Sequence, residues 1–118
     1  MPYQYIHLAY LDQMAGDDSE TRGQLLHMLI EDLEHNLPEM KALLQKQEWQ
    51  ALQNLSHHLK STLVFAGNAE MARANRSIEK HLTEEPEAFP DFIALQIDAM
   101  ETLLPMVLTE LKREFQKK

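Results

Sequence analysis

Between residues 26 and 44, Leu26, Leu29, Leu33, Leu37, Met40 and Leu44 recur at intervals of three and four. That spacing lays all six along one side of an α-helix, and a stripe of this length must be covered by other apolar surface. A single helix cannot cover its own stripe, so the chain is constrained to pack helices on one another. Pro38 falls inside the pattern and removes one backbone hydrogen bond. Because the stripe continues on both sides, a bend is expected there rather than a chain reversal.

The rest of the chain repeats the theme. It has only three glycines and two valines, while leucine, methionine, glutamate, glutamine, lysine and alanine are plentiful, a composition suited to helices. A short first helix is predicted from about Tyr3 to Met14, with Ile6, Tyr10 and Met14 on one side and a stop at Gly16. Asp17, Asp18 and Ser19 supply N-caps for the long second helix, which runs to about Lys46. A calcium loop could use the same acids, but its glycine-centred pattern is missing. A third helix opens near Glu48 and Trp49 and runs to Ala66, where Gly67 and Asn68 suit a left-handed C-terminal turn. A fourth, about Glu70 to Leu82, turns Met71, Ala74, Ile78 and Leu82 inward. The stretch TEEPEAFP reads as a loop, with Pro86 and Pro90 as breakers. The last helix carries Phe92, Ile93, Ile97, Met100, Leu104, Leu108, Leu111 and Phe115, with a kink expected at Pro105 and basic residues near its C-terminal end. Short connections between long amphipathic helices favour antiparallel neighbours. The expected fold class is all-α: an antiparallel up-and-down four-helix bundle with a short additional N-terminal helix, spanning residues 1–118 as a single domain.

Charge and residue inventory narrow the function. A net charge of −8 argues against binding phosphate backbones or anionic membrane, because such proteins need a clustered basic face. No segment has the layout of a signal peptide and no apolar run approaches a bilayer span, so a cytoplasmic location is expected. With no cysteine, thiol chemistry and disulfides are excluded, which leaves six histidines and nineteen acidic residues as the reactive inventory. His27, Glu31 and His35 share a helix face at metal-ligand spacing, but a polar surface with local ion pairing is the simpler expectation, and no metal site is assigned. His7 and His81 read as surface or boundary residues, and Trp49 as a cover for one end of the bundle. The methionines at 28, 40, 71, 100 and 106 read as core and near-core packing. No Gly-rich phosphate loop, kinase signature or nucleotide-binding strand occurs.

The stretch NLSHHLKSTLVFAGN, residues 54–68, stands apart. With Leu59 pointing into the core, Leu52, Leu55, Leu63 and Ala66 fall close to the same direction. His57 then lies roughly 160° away, Ser61 about as far on the other side, and His58 about 100° round at the flank. Lys60 follows His57 at i+3, within reach on a helix surface. Val64 and Phe65 place apolar groups on or beside a face that should be polar. An outward imidazole can attack an activated phosphoryl group, a nearby ammonium can offset the charge acquired, and a small side chain such as Ser61 permits close approach of a partner. The apolar rim would be where that partner docks.

These residues resemble the histidine phosphotransfer (HPt) domains of bacterial multistep two-component phosphorelays, whose motif is H-x-[LI]-K-[GS] with a glycine ten residues after the histidine. His57, Leu59, Lys60, Ser61 and Gly67 match it in register, with His58 at the variable position. YLDQMAGDD resembles the opening segment of such domains, LPEMKALLQKQEWQAL the stretch leading into the histidine helix, and Glu79 an acidic position often seen after it. The resemblance covers roughly Ile6 to Leu82. Ser61 stands where many members have glycine, and Leu63, Val64 and Phe65 stand where small residues are common.

The resemblance implies a phosphocarrier without kinase or ATPase activity of its own. His57 would accept a phosphoryl group from a receiver-domain aspartyl phosphate and pass it to another receiver aspartate. Lys60 would stabilise charge, Ser61 would act as a spacer or hydrogen-bond donor, and Asn54, His58, Val64 and Phe65 would make docking contacts. Partners would be the receiver domains of a hybrid sensor kinase and of a response regulator. No intrinsic cofactor is expected, with magnesium residing in the receiver. A monomer is expected, and a stand-alone protein and an excised domain of a hybrid kinase both fit the sequence. The competing expectation is a non-catalytic adaptor that binds a receiver or another signalling protein, against which the intact His57 and Lys60 weigh.

Overall fold

The computed structural model describes residues 3–84 and 90–117. Its helices are α1 (Ala9–Ala15), α2 (Ser19–Gln45), α3 (Trp49–Ala66), α4 (Ala69–Glu84) and α5 (Pro90–Gln116). Helices α2 to α5 form the expected four-helix bundle, each packing on its neighbours in the order α2, α3, α4, α5 and back to α2, while α1 lies against α2 and α3. The leucine stripe of α2 does what its spacing requires: Leu26, Leu29, Leu33, Leu37 and Met40 are buried. The stripe ends on Leu43 rather than Leu44, which is only half-buried. Helix α2 runs on through Pro38 without a chain reversal. Asp18 caps it, its carboxylate accepting from the amides of Glu20 and Thr21 and from the Thr21 hydroxyl. The Thr21 hydroxyl first, then those amides, hold the Asp18 carboxyl below its ordinary range.

Helices α3 and α4 bury the expected Leu52, Leu59, Leu63 and Ala66 against Met71, Ala74, Ile78 and Leu82. Helix α4 extends two residues further than its pattern suggested, taking Thr83 and Glu84. Pro90 opens α5 rather than merely breaking the chain, in keeping with proline's fitness for a first helical turn. The Pro86 part of the expected loop lies outside the described residues. In α5, Ile93, Ile97, Met100 and Leu111 are buried as expected, Val107 joins them, and Phe115 is exposed against the ring of His27. Met28 is also exposed, contrary to the packing role expected of it. By length and composition α5 could cross a bilayer, which corrects the reading that no apolar run approaches that length. Asp98 and Glu101 interrupt the run without lowering its mean far enough, and its buried residues are spent on the bundle core.

The largest correction is at the N-terminus. Among the described residues no helix forms before Ala9; residues 3–8 make an irregular strap across the end of the bundle. The amides of Gln4, Tyr5 and Ile6 all donate to the Glu110 carboxylate on α5, at 3.1, 2.7 and 3.1 Å. The His7 amide donates to the Ala66 carbonyl at the end of α3, and Asn68 Nδ2 donates to the Tyr5 carbonyl. These remote partners satisfy backbone groups that a helix would otherwise have to satisfy locally, so helical periodicity in residues 3–8 is overridden. Shortened in this way, α1 buries Leu11 and Ala15, with Ile6 and Leu8 from the strap, and leaves Tyr10 and Met14 exposed.

Gly67 closes α3 in the left-handed conformation at φ 73°, its amide donating to the Leu63 and Val64 carbonyls. A Cβ here would collide with the His7 backbone. Gly67→Ala therefore combines left-handed strain with overpacking, and urea denaturation should show a loss of about 2 kcal/mol or more. Glu114 ties the strap from below: it accepts from the Tyr3 hydroxyl at 2.6 Å and from Arg22 Nη2 at 2.8 Å. The Tyr3 hydrogen bond, opposed by burial and helped by Arg22 and Lys117, holds the Glu114 carboxyl below its ordinary value. A depressed carboxyl stabilises the fold fully above the unfolded pKa of about 4.3 and loses that contribution as pH falls through the lower folded value. In acid melts, Glu114→Gln should flatten this part of the pH dependence.

Candidate functional site on the outer face of α3

A helix carrying a buried stripe at Leu52, Leu59, Leu63 and Ala66 must turn its opposite side to solvent, and that side holds His57. The imidazole is 73% exposed, yet it is not free to turn: Nδ1 lies 2.8 Å from Glu79 Oε2 on α4. With the carboxylate as acceptor, Nδ1 donates, and in the neutral ring the lone pair then sits on Nε2. This hydrogen bond fixes the ring's tautomer and orientation together.

The placement of Glu79 follows from a buried polar pair one turn earlier. Ser56, next to His57, is fully buried, and so is Asn75, four residues before Glu79. Ser56 Oγ donates to Asn75 Oδ1 at 2.8 Å, and Asn75 Nδ2 donates to the Ser56 carbonyl at 2.9 Å. Apolar contacts would tolerate a small slide of α4 along α3, whereas two reciprocal hydrogen bonds in an apolar interface do not. On the other flank, Asp32 of α2 accepts from Thr62 Oγ1 at 2.8 Å and lies 3.1 Å from His58 Nε2, while Asn36 holds its second oxygen. His58 is thereby drawn toward α2 and away from the face that His57 occupies.

The other sequence-predicted residues distribute as follows. Lys60 and Ser61 are exposed on the His57 face, and Val64 leaves 47% of its surface open there. Phe65 is half-buried, its ring 5.0 Å from that of Tyr10 on α1. Asn54 is exposed one turn before His58 and accepts from Gln50. Leu59 and Gly67 are structural, the one fully buried and the other in the left-handed turn. A depression of about 330 Å³ is lined by Glu79, the imidazole's partner, and by Lys60, Arg76, Lys80, Thr83 and Glu84. Its α4 cations, and the buried Ser56, Thr62 and Asn75, went unnoticed in the sequence. Ser56 and Thr62 lie about 60° either side of Leu59, inside the arc assigned to the core, so two polar residues there were a legible sign of a buried hydrogen bond.

At the expected metal-spaced positions, His27 Nε2 lies 3.1 Å from Glu31, and among the described residues no group of three ligating side chains could hold a metal. His81 is half-buried, its Nδ1–H donating to the Ser77 carbonyl and its ring tilted against that of Phe92.

A family model for the Hpt domain matches residues 24–114, most of the chain and all of the site. The chain belongs to the Hpt domain family. Its members are histidine phosphotransfer carriers of two-component phosphorelays, which work with receiver domains and are not kinases. The fold is similar to the crystal structure of histidine-containing phosphotransfer protein B (HptB) from Pseudomonas aeruginosa PAO1, with a TM-score of 0.81 over 99% of each chain at 21% identity. No relative among curated proteins matches.

For this Hpt domain the Ser56–Asn75 pair sets the geometry around His57. Asn75→Ala strands the buried Ser56 hydroxyl and should cost about 1–3 kcal/mol in urea denaturation. His57 resonances should broaden or shift in the same variant, because Glu79 loses its fixed position.

Proposed function

We propose that His57 is the phosphoryl acceptor and that it shuttles phosphate between receiver domains. The observation that carries this reading is the 2.8 Å contact between Nδ1 and Glu79, which leaves Nε2 outward as a nucleophile on an exposed face. Nε2 attacks the phosphorus of a receiver's aspartyl phosphate in line. The P–N bond forms as the bond from phosphorus to the aspartyl oxygen breaks, and the receiver's carboxylate leaves with that electron pair. The ring becomes a phosphorylated imidazolium, and the Glu79 carboxylate on Nδ1–H stabilises its positive charge. Return transfer to a second receiver reverses each step. Lys60 offsets charge on the phosphoryl oxygens, and Ser61 keeps the approach open or donates a hydrogen bond.

The partners in this reading are the receiver domains of a hybrid sensor kinase and of a response regulator, in the cytoplasm. Magnesium belongs to the receiver's acidic pocket, and the Hpt domain needs no cofactor and has no ATPase activity. Asn54, His58, Val64 and Phe65 contribute docking contacts, and a monomer suffices for transfer. An adaptor that only binds receivers would have no use for a histidine held in one tautomer.

Incubation with magnesium and a panel of phosphorylated receivers tests the assignment. His57→Gln should take no acid-labile phosphate while keeping wild-type stability, and His58→Ala should still be labelled. Glu79→Ala should be labelled more slowly, and Lys60→Ala should hold its phosphate for less time. Label that survives His57→Gln removes His57 from the mechanism.

A further inference from the structure

Four cations stand on the face that carries His57, and among the described residues none of them lies against a carboxylate. Lys60 on α3 and Arg73, Arg76 and Lys80 on α4 are exposed. Among the described residues, none of the four forms an ion pair. Elsewhere the molecule behaves differently. Arg22, Lys41, Lys112 and Lys117 each lie against a carboxylate, as expected where nineteen acids outnumber eleven Lys and Arg. Among the described residues Lys46 and Arg113 also lack such a partner, but they stand singly, one at the end of α2 and one in the last turn of α5. A row of unpaired cations in so acidic a chain is a concentration of charge that folding does not use.

The spacing makes the row a surface feature. Residues 73, 76 and 80 follow i, i+3, i+7 and therefore share one side of α4. Arg76 borders two depressions: the one that includes Lys60 and Glu79, and a second of about 370 Å³ that includes Tyr10, Val64 and Arg73. The cations thus run from the edge of the phosphoryl site to its apolar rim. Glu79 and Glu84 also border the first depression, but the Glu79 carboxylate already faces the imidazole.

We infer that Arg73, Arg76 and Lys80 form a basic docking ridge for the carboxylate-bearing rim of a receiver domain, so that α4 selects among receivers while α3 carries the chemistry. The inference rests on the reading of His57 above. A receiver that offers an aspartyl phosphate, with further carboxylates to hold magnesium, is anionic at the point of contact. A carrier of net charge −8 repels such a surface from most directions. Attraction through one face both raises the encounter rate and orients the encounter.

The test measures transfer from phosphorylated receiver domains to the full chain over a range of salt concentrations. It compares wild type with the double variant Arg76→Glu/Lys80→Glu, with Arg76→Lys, and with Arg113→Glu as a charge reversal on α5. The double variant should lose at least about tenfold in apparent second-order rate at low salt, with a flatter salt dependence and an unchanged rate at saturating receiver. Arg76→Lys and Arg113→Glu should stay close to wild type, and all variants should melt with it. A double variant that matches an active wild type in rate and salt dependence overturns the ridge alone. A wild type that takes no label from any receiver overturns the proposed function and this inference with it. A self-associating chain whose dimer is abolished by the double variant would assign the face to a second copy and overturn the receiver assignment.

Discussion

Two hydrogen bonds in the apolar seam between α3 and α4, Ser56 with Asn75 in both directions, fix how those helices slide past each other. Leucine-rich surfaces pack well in several neighbouring arrangements, and hydrophobic contact alone penalises a slide of an ångström only weakly. Buried polar groups penalise it strongly, because any displacement leaves a donor or an acceptor without a partner. Ser56 adjoins His57, and Asn75 stands one turn from Glu79. The constraint is therefore passed directly to the imidazole, whose tautomer and direction depend on where the Glu79 carboxylate ends up.

The two flanks of α3 divide the work between adjacent histidines. His57 is held from α4 by a carboxylate and keeps its second nitrogen toward solvent. His58 is drawn to Asp32 on α2, which also binds Thr62 and Asn36. The N-terminal strap supports the same face from one end. It locks onto Glu110 and Glu114 of α5 and onto the Ala66 carbonyl, and from there α1 brings Tyr10 against Phe65 beside the exposed Val64. Gly67 is where strap and site meet, since only a residue without Cβ lets the His7 backbone pass.

Much of this was legible in the sequence because it depends on direction within one helix. The stripes of α2, α3 and α4 gave the bundle, and the angle from Leu59 gave the outward His57. What the sequence hid depends on pairing between elements distant along the chain. Residues 3–8 carry helical spacing but find their hydrogen-bond partners on α3 and α5, so the pattern there misled. Phe115 continues the α5 stripe by spacing but meets the exposed His27 ring on α2 and stays exposed. Glu79 was visible through family resemblance, whereas the Asn75 that sets its place looked like any polar residue on α4. The cations of α4 were hidden in a different way: an overall charge of −8 says nothing about a local row of the opposite sign.

The central claim is that Glu79 holds the proton on Nδ1 of His57 and thereby makes Nε2 the nucleophile. Nitrogen-15 NMR of histidine-labelled protein, before and after phosphorylation by a receiver, tests it most directly. The account predicts a protonated Nδ1 at His57 in the free protein and a phosphorus coupling that appears on Nε2 of the same ring. Phosphate on Nδ1 of His57, or on either nitrogen of His58, would contradict it.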